Sequence, residues 1–196
     1  MNKQQNITPD FLFHIAQGFY SIAYNLAAKL KNDNSTFGFQ MIAPAVVNFS
    51  FAVELFLKGL YAISKKSDLS GHRFYDLYRQ LPISIKEKVE LKYREQLLST
   101  DDKLTKIKIV MSKASESEKT SKEESKTNDS MSVADLLLIH NDSFTNWRYL
   151  YETNAGGYEH EFDFKLINCF VRALIEVINE VKANKSPTFI LTKPKI

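Results

Sequence analysis

Hydrophobic residues recur at helical spacing along most of this chain. From Pro9 to about Lys31 they follow at alternating steps of three and four residues, which predicts an amphipathic helix. The residues of this stripe are Leu12, Ile15, Phe19, Ile22 and Leu26. Thr8 supplies a capping hydroxyl, and Pro9 suits a first helical position. A second stretch, from about Met41 to Lys65, is apolar on nearly every side and therefore predicts the central, most buried helix.

Shorter helical patterns fill the rest of the chain. The turn at residues 70–72 leads into a short helix at 74–81, and a proline at position 82 opens a polar helix that reaches about residue 98. A capping box at 132–135 starts another helix, and the last helix spans about 163–183. The expected fold is an all-α, up-and-down bundle of about five helices.

Composition is consistent with one helical domain. The 196 residues fit a single domain, 1–196, and the 44% hydrophobic content is enough for a core. Only six glycines and five prolines are present, which argues against a many-stranded β fold. Residues 112–130 are dominated by Ser, Lys, Glu, Thr and Asp without an aromatic, so this segment is predicted to be a mobile polar insertion.

The sequence also bears on the cellular compartment. Cys169 is the only cysteine, so no intrachain disulfide can form, and its apolar surroundings predict a small buried hydrophobe. Residues 1–10 lack the apolar core of a signal peptide. Residues 41–63 have the length of a membrane helix, but Asn48, Ser50, Glu54 and Lys58 interrupt them. We expect a cytoplasmic protein without a membrane span.

The segment from Phe144 to Glu152 concentrates candidate chemistry. In a helix, Phe144, Trp147 and Tyr151 fall on one face, and Arg148 lies one turn from both Phe144 and Glu152. A guanidinium beside aromatic rings suits a phosphate or carboxylate ligand. A structural Arg–Glu pair explains the same residues equally well.

A second candidate cluster combines the central helix with the turn that follows it. Glu54 and Lys58 are one turn apart, so they are either a self-satisfying ion pair or a site in which Glu54 binds Arg148 from another helix. We expect the Arg148 guanidinium to be buried and bonded to Glu54 or Glu152. His72 stands near the start of the short helix, where its ring can cap or bind a polar group.

Common catalytic motifs are absent from the sequence. It contains no Gly-rich phosphate loop, GxSxG elbow, HExxH or CxxC. The histidines have no metal-ligand spacing, so neither a metal nor a cofactor is expected. They are His14, His72, His140 and His160. Catalysis would therefore require residues that the fold assembles from distant positions.

Three sequence blocks, taken in order, resemble the HEPN superfamily of small helical proteins. The blocks are Ala52-Val-Glu-Leu-Phe-Leu-Lys-Gly-Leu60, Gly71-His72 followed by Asp76-Leu77 and Leu81, and Arg148-Tyr-Leu-Tyr-Glu152. The resemblance covers about two thirds of the chain and leaves out residues 112–130. It implies a bundle of four or five helices that forms a homodimer. Many members are RNA-cutting toxins or antiviral effectors, and others bind RNA or nucleotides.

The chain departs from this family at the catalytic pair. Active members have an arginine and then a histidine, with four to six residues between them. Arg148 fits the arginine, but the histidine positions are occupied by Thr153, Asn154 and Ala155. His160 lies too far along the chain, so the usual ribonuclease pair is missing.

The sequence thus predicts a non-catalytic or degenerate HEPN-like module that binds RNA, a nucleotide or a protein. A defence or toxin–antitoxin system is its expected setting, with an antitoxin protein as a candidate partner. The candidate binding residues are Glu54, Lys58, His72, Arg148, Tyr151 and Glu152. One alternative is an active, metal-independent ribonuclease that uses Arg148 with His140 or His160. Another is a purely structural helical partner protein.

Overall fold

The computed structural model describes residues 8–30, 35–65, 67–99, 103–111, 131–149 and 158–184. Seven helices and two strands form within these ranges. They are α1 (Pro9–Leu30), α2 (Thr36–Lys65), α3 (Phe74–Arg79), α4 (Ile83–Leu98), β1 (Lys106–Met111), α5 (Val133–Ile139), α6 (Ser143–Arg148), β2 (Tyr158–Asp163) and α7 (Phe164–Ala183). The prediction of an all-helical fold is confirmed, with one small sheet added. The predicted insertion at 112–130 lies outside the described residues.

The α2 helix occupies the centre of the fold, as its sequence predicts. It packs against α1, α3, α6 and α7. Residues 52–57 are all buried, and six consecutive residues cover every side of a helix, so neighbours must surround it. The helix begins at Thr36, earlier than expected, and Pro44 lies inside it and not in its first turn. By length and hydropathy α2 resembles a membrane span, yet 56% of its most apolar window is buried within the protein.

The α1 helix packs against α2, with ring contacts between Phe13 and Phe56 and between Phe19 and Phe51. The buried residues of α1 are Phe13, Ala16, Ala23, Ala27 and Leu30. Ile22 was expected in the buried stripe, but its side chain is 52% exposed. Ala16, Ala23 and Ala27 are almost fully buried, so the buried face of α1 is rotated relative to the predicted stripe. Its other members are partly buried against the core: Leu12, Ile15, Phe19 and Leu26.

A two-stranded antiparallel sheet is the element that the sequence analysis did not predict. Strand β1 pairs with β2 in a register that places Lys106 opposite Asp163. Lys106 forms a 2.9 Å ion pair with Glu161, and Lys108 forms a 2.6 Å ion pair with Glu159. These cross-strand charges stabilise the pairing between segments that are far apart in sequence.

Side-chain caps fix the starts of two helices. The Ser132 hydroxyl accepts from the Asp135 backbone N–H and donates to the Asp135 carboxylate, so the predicted helix start with Ser132 as N-cap is confirmed. At α7, the Asp163 carboxylate accepts from the Leu166 backbone N–H at 2.9 Å. Cys169 is buried on the same helix, as expected, and burial raises the pKa of its thiol.

Candidate functional site

A buried carboxylate on the central helix anchors the site. Glu54 is 2% exposed and lies on the side of α2 that faces the turn before α3. It accepts a hydrogen bond from the Lys58 ammonium at 2.7 Å, so the predicted ion pair one helical turn apart is confirmed. Its second partner is His72, whose Nδ1 lies 3.0 Å from each carboxylate oxygen. The alternative in which Glu54 binds Arg148 is wrong.

The turn before α3 brings His72 to this carboxylate. Gly71 has a φ of 105°, a conformation that glycine adopts without strain. Phe74 and Leu77 of α3 are buried in the core and hold the turn against α2. The His72 ring therefore reaches Glu54 on one side while its side chain remains 68% exposed. The expectation that His72 binds a polar group near the helix start is confirmed.

Arg148 lies on the surface, which contradicts the prediction of a buried guanidinium. Its guanidinium carbon lies 4.9 Å from the centre of the Phe144 ring and 4.4 Å from that of Tyr149. The guanidinium also donates to the Tyr149 hydroxyl. No carboxylate in the described part of the chain lies within ion-pair distance of Arg148. Tyr151 and Glu152, its other predicted neighbours, lie outside the described residues.

The short length of α6 explains this outcome. The helix ends at Arg148, and it turns Trp147 into the core, where that side chain is 2% exposed. Arg148, one position further along the helix, consequently points away from the core. The predicted contact of Arg148 with Phe144 is confirmed, but the predicted helix was longer and carried Glu152 one turn beyond Arg148.

Phe144 connects the histidine to the arginine. Its ring stacks on the His72 ring with centroids 6.4 Å apart and planes 20° apart, and on Phe51 with centroids 5.8 Å apart. Contacts therefore run without a break from Glu54 through His72 and Phe144 to Arg148. We call this feature the His72–Arg148 surface; its members are Glu54, Lys58, His72, Phe144, Arg148 and Tyr149.

Bonds between the start of α3 and the start of α6 hold this surface in place. The Arg73 guanidinium donates to both carboxylate oxygens of Asp142, at 3.0 and 3.3 Å. The Asn141 side-chain oxygen accepts from the Tyr75 backbone N–H at 2.9 Å. Asn141 and Asp142 precede α6, so both contacts fix Phe144 relative to His72. No sequence pattern indicated this docking role of Asn141 and Asp142.

His140 is a core residue. It is 2% exposed, and its ring lies 4.9 Å from the Phe162 ring. Burial lowers the pKa of His140 to about 4, so the imidazole is neutral near pH 7. A side chain so enclosed does not reach a ligand on the protein surface. Its candidacy as a catalytic partner of Arg148 is therefore not supported.

His160 lies on β2 and is half-buried. Its ring contacts that of Trp147 at a centroid distance of 5.8 Å, and burial lowers the pKa of the imidazole. This contact brings His160 close to the residue preceding Arg148. The ribonuclease alternative expects an exposed Arg–His cluster across a dimer interface, and that expectation stays a prediction.

Neither metal chemistry nor known relatives add to this description. Within the described ranges, no group of three or more His, Cys, Asp or Glu side chains is arranged to hold a metal ion. No family model, no curated protein and no solved structure matches the chain. The geometry of the His72–Arg148 surface therefore carries the functional argument.

Proposed function

We propose that this protein is a HEPN-like module that binds RNA or a nucleotide at the His72–Arg148 surface. The observation that carries the proposal is the exposed Arg148 guanidinium, held over the rings of Phe144 and Tyr149. An arginine that has no carboxylate partner in the described structure keeps its donors for a phosphate. We place the protein in the cytoplasm.

The aromatic residues of the surface suit the base of such a ligand. Single-stranded nucleic acids bind to surfaces that combine cations with aromatic rings on which bases stack. Phe144 is partly exposed, and Tyr149 lies beside the same guanidinium. His72 contributes a second exposed polar group next to Phe144. The combination favours a ligand with both a base and a phosphate over an inorganic anion.

The expected assembly is a homodimer in which this surface lines a groove, as the family resemblance implies. An antitoxin-like protein remains a candidate partner. Both are predictions, and the size of the protein in solution, measured by light scattering, tests the first. A dimer would place two copies of the surface within reach of one RNA strand and raise its affinity through effective concentration.

Titration of a short, fluorescently labelled oligouridylate tests the proposal. We expect Arg148→Ala to weaken binding by about 10- to 100-fold, the worth of a hydrogen bond to a charged group. The melting temperature should stay close to that of the wild type, because exposed side chains contribute little to stability. Arg172 is exposed on α7, and Arg172→Ala is the matched control for loss of one positive charge.

Two outcomes would count against the proposal. One is equal binding by the wild type and Arg148→Ala. The other is no binding by the wild type at all, which would favour the structural partner protein instead. In that case Glu54 and Lys58 would serve only as a core ion pair.

A second candidate function is metal-independent ribonuclease activity, and the exposure of Arg148 favours it. Incubation of labelled RNA with the protein in the presence of a chelator tests this alternative. Cleavage by the wild type and not by Arg148→Ala would support it. Intact RNA at protein concentrations that saturate binding would leave the binding module as the function.

A further inference from the structure

We propose that His72 is the specificity-determining residue of this surface and that Glu54 is its positioning residue. In this view the Nε2 atom of His72 accepts a hydrogen bond from the 2′-hydroxyl of a ribose. The surface would thereby distinguish ribonucleotides from deoxyribonucleotides. The inference rests on the proposed function, since it requires a nucleic-acid ligand at the same place.

The contact with Glu54 selects the tautomer of His72. A carboxylate only accepts hydrogen bonds, and both of its oxygens lie 3.0 Å from Nδ1. The Nδ1 atom must therefore carry a hydrogen in the neutral ring. In this neutral form Nε2 bears a lone pair and acts as an acceptor.

Burial and Lys58 hold the carboxylate in this arrangement. The Glu54 side chain is 3% exposed, and the Lys58 ammonium, 2.7 Å from one of its oxygens, compensates its charge. A buried carboxylate that is held by both Lys58 and His72 has little freedom to rotate away from the imidazole. The imidazole is therefore fixed in orientation as well as in tautomer.

The acceptor atom faces the ligand side of the surface. Nδ1 and Nε2 lie on different edges of the ring, and with Nδ1 turned toward Glu54 the His72 side chain is still 68% exposed. No donor or acceptor among the described residues lies within hydrogen-bond distance of Nε2. Phosphate oxygens are acceptors and cannot satisfy an acceptor atom. The ribose 2′-hydroxyl is a donor, and DNA lacks it.

Residues next to His72 can contact the base and the phosphate of the same nucleotide. Phe144 stacks on the same His72 ring, and Arg148 lies over Phe144. A base can therefore contact the aromatic edge, with the phosphate on the guanidinium. In such a complex the sugar lies between base and phosphate, beside His72.

Affinities for three matched oligouridylates test the inference: the ribose form, the deoxyribose form and the 2′-O-methyl form, which keeps the oxygen but lacks the donor. We expect the wild type to bind the ribose form about three- to tenfold more tightly than either of the others, the worth of one hydrogen bond. His72→Phe should bring this ratio close to one. Arg148→Ala should weaken binding of all three forms and keep the ratio.

Glu54→Gln tests the positioning role. Its amide can donate to Nδ1 and so permit the opposite tautomer, in which Nε2 carries the hydrogen and no longer accepts. We expect the ribose preference to fall toward one. Nitrogen-15 spectra of the imidazole should show a hydrogen on Nδ1 in the wild type and on Nε2 in a substantial fraction of Glu54→Gln. If Glu54→Gln does not fold, His72→Phe and the wild-type spectrum still test the inference. His72→Phe should fold, because the His72 side chain is largely exposed.

Three results would overturn the inference. They are equal wild-type affinities for the ribose and deoxyribose forms, a 2′-O-methyl form that binds as tightly as RNA, and a wild-type hydrogen on Nε2. With any of these, Arg148-dependent binding would still support the proposed function. Failure of the wild type to bind any oligouridylate would remove both.

Discussion

Trp147 and Arg148 are neighbours in the chain, but the Trp147 side chain is buried and the Arg148 side chain is exposed. Trp147 is 2% exposed and packs beside His160, whereas the Arg148 guanidinium rests on two rings at the surface. Aromatic faces attract a cation without removing it fully from water, which makes this placement less costly than burial. The side chain is thus ordered by Phe144 and Tyr149 while its donors stay accessible.

At the same scale, His140 should make the protein sensitive to acid. Burial lowers the pKa of His140 to about 4, against about 6.5 in the unfolded chain. Between these values the unfolded state binds more protons, so stability is full above about pH 6.5 and falls as the pH drops toward 4. The total loss from this residue is about 3 kcal/mol. Denaturant unfolding across this range measures it.

His140→Gln should lower stability at pH 7 but flatten the decline at acidic pH. The exposed His14 offers a control, and His14→Gln should decline as the wild type does. Burial raises the pKa of Asp163, which acts in the opposite direction, but this contribution is common to all three proteins. A slope in His140→Gln as steep as that of the wild type would refute the assignment.

At the scale of elements, Asp163 is both the last residue of β2 and the N-cap of α7. Its carboxylate caps the Leu166 N–H inside a buried junction. We expect Asp163→Ala to lower the free energy of unfolding by about 1–2 kcal/mol, and Asp163→Asn, which keeps the capping oxygen, by clearly less. Urea denaturation of the two variants checks this. Equal losses would show that the cap contributes little.

Helices were predictable from the sequence, whereas the strand pair was not. The 3.6-residue pattern and the capping residues marked α1, α2 and α7 to within a few positions, because local sequence determines helices. Strand β1 does alternate, as Lys-Ile-Lys-Ile at 106–109. Its partner is more than forty residues away in the chain, and no local pattern specifies a pairing of that range.

The candidate site was predictable only in part, for a related reason. The i, i+4 spacing identified Glu54 with Lys58, and helical spacing placed Arg148 beside Phe144. The contact between Glu54 and His72 depends on how the turn at Gly71 folds back onto α2. That arrangement is a property of the tertiary structure, which local sequence patterns do not specify.

At the scale of the whole molecule, the net charge of +3 is too small to provide strong nonspecific binding to nucleic acid. Affinity should instead depend on a few placed cations. Two exposed arginines near the His72–Arg148 surface form ion pairs: Arg73 with Asp142 and Arg79 with Asp76. Arg148 differs from these two in having no such partner in the described structure, so we propose that Arg148 contacts the phosphate.

The most direct test of this assignment is the salt dependence of binding to a single-stranded oligouridylate. Each phosphate contact on a single strand contributes about 0.7 to the slope of log affinity against log salt. We predict that Arg148→Ala reduces the slope by about that amount, while Arg172→Ala leaves it unchanged. Equal slopes for the wild type and Arg148→Ala would contradict the claim that this exposed guanidinium binds a phosphate.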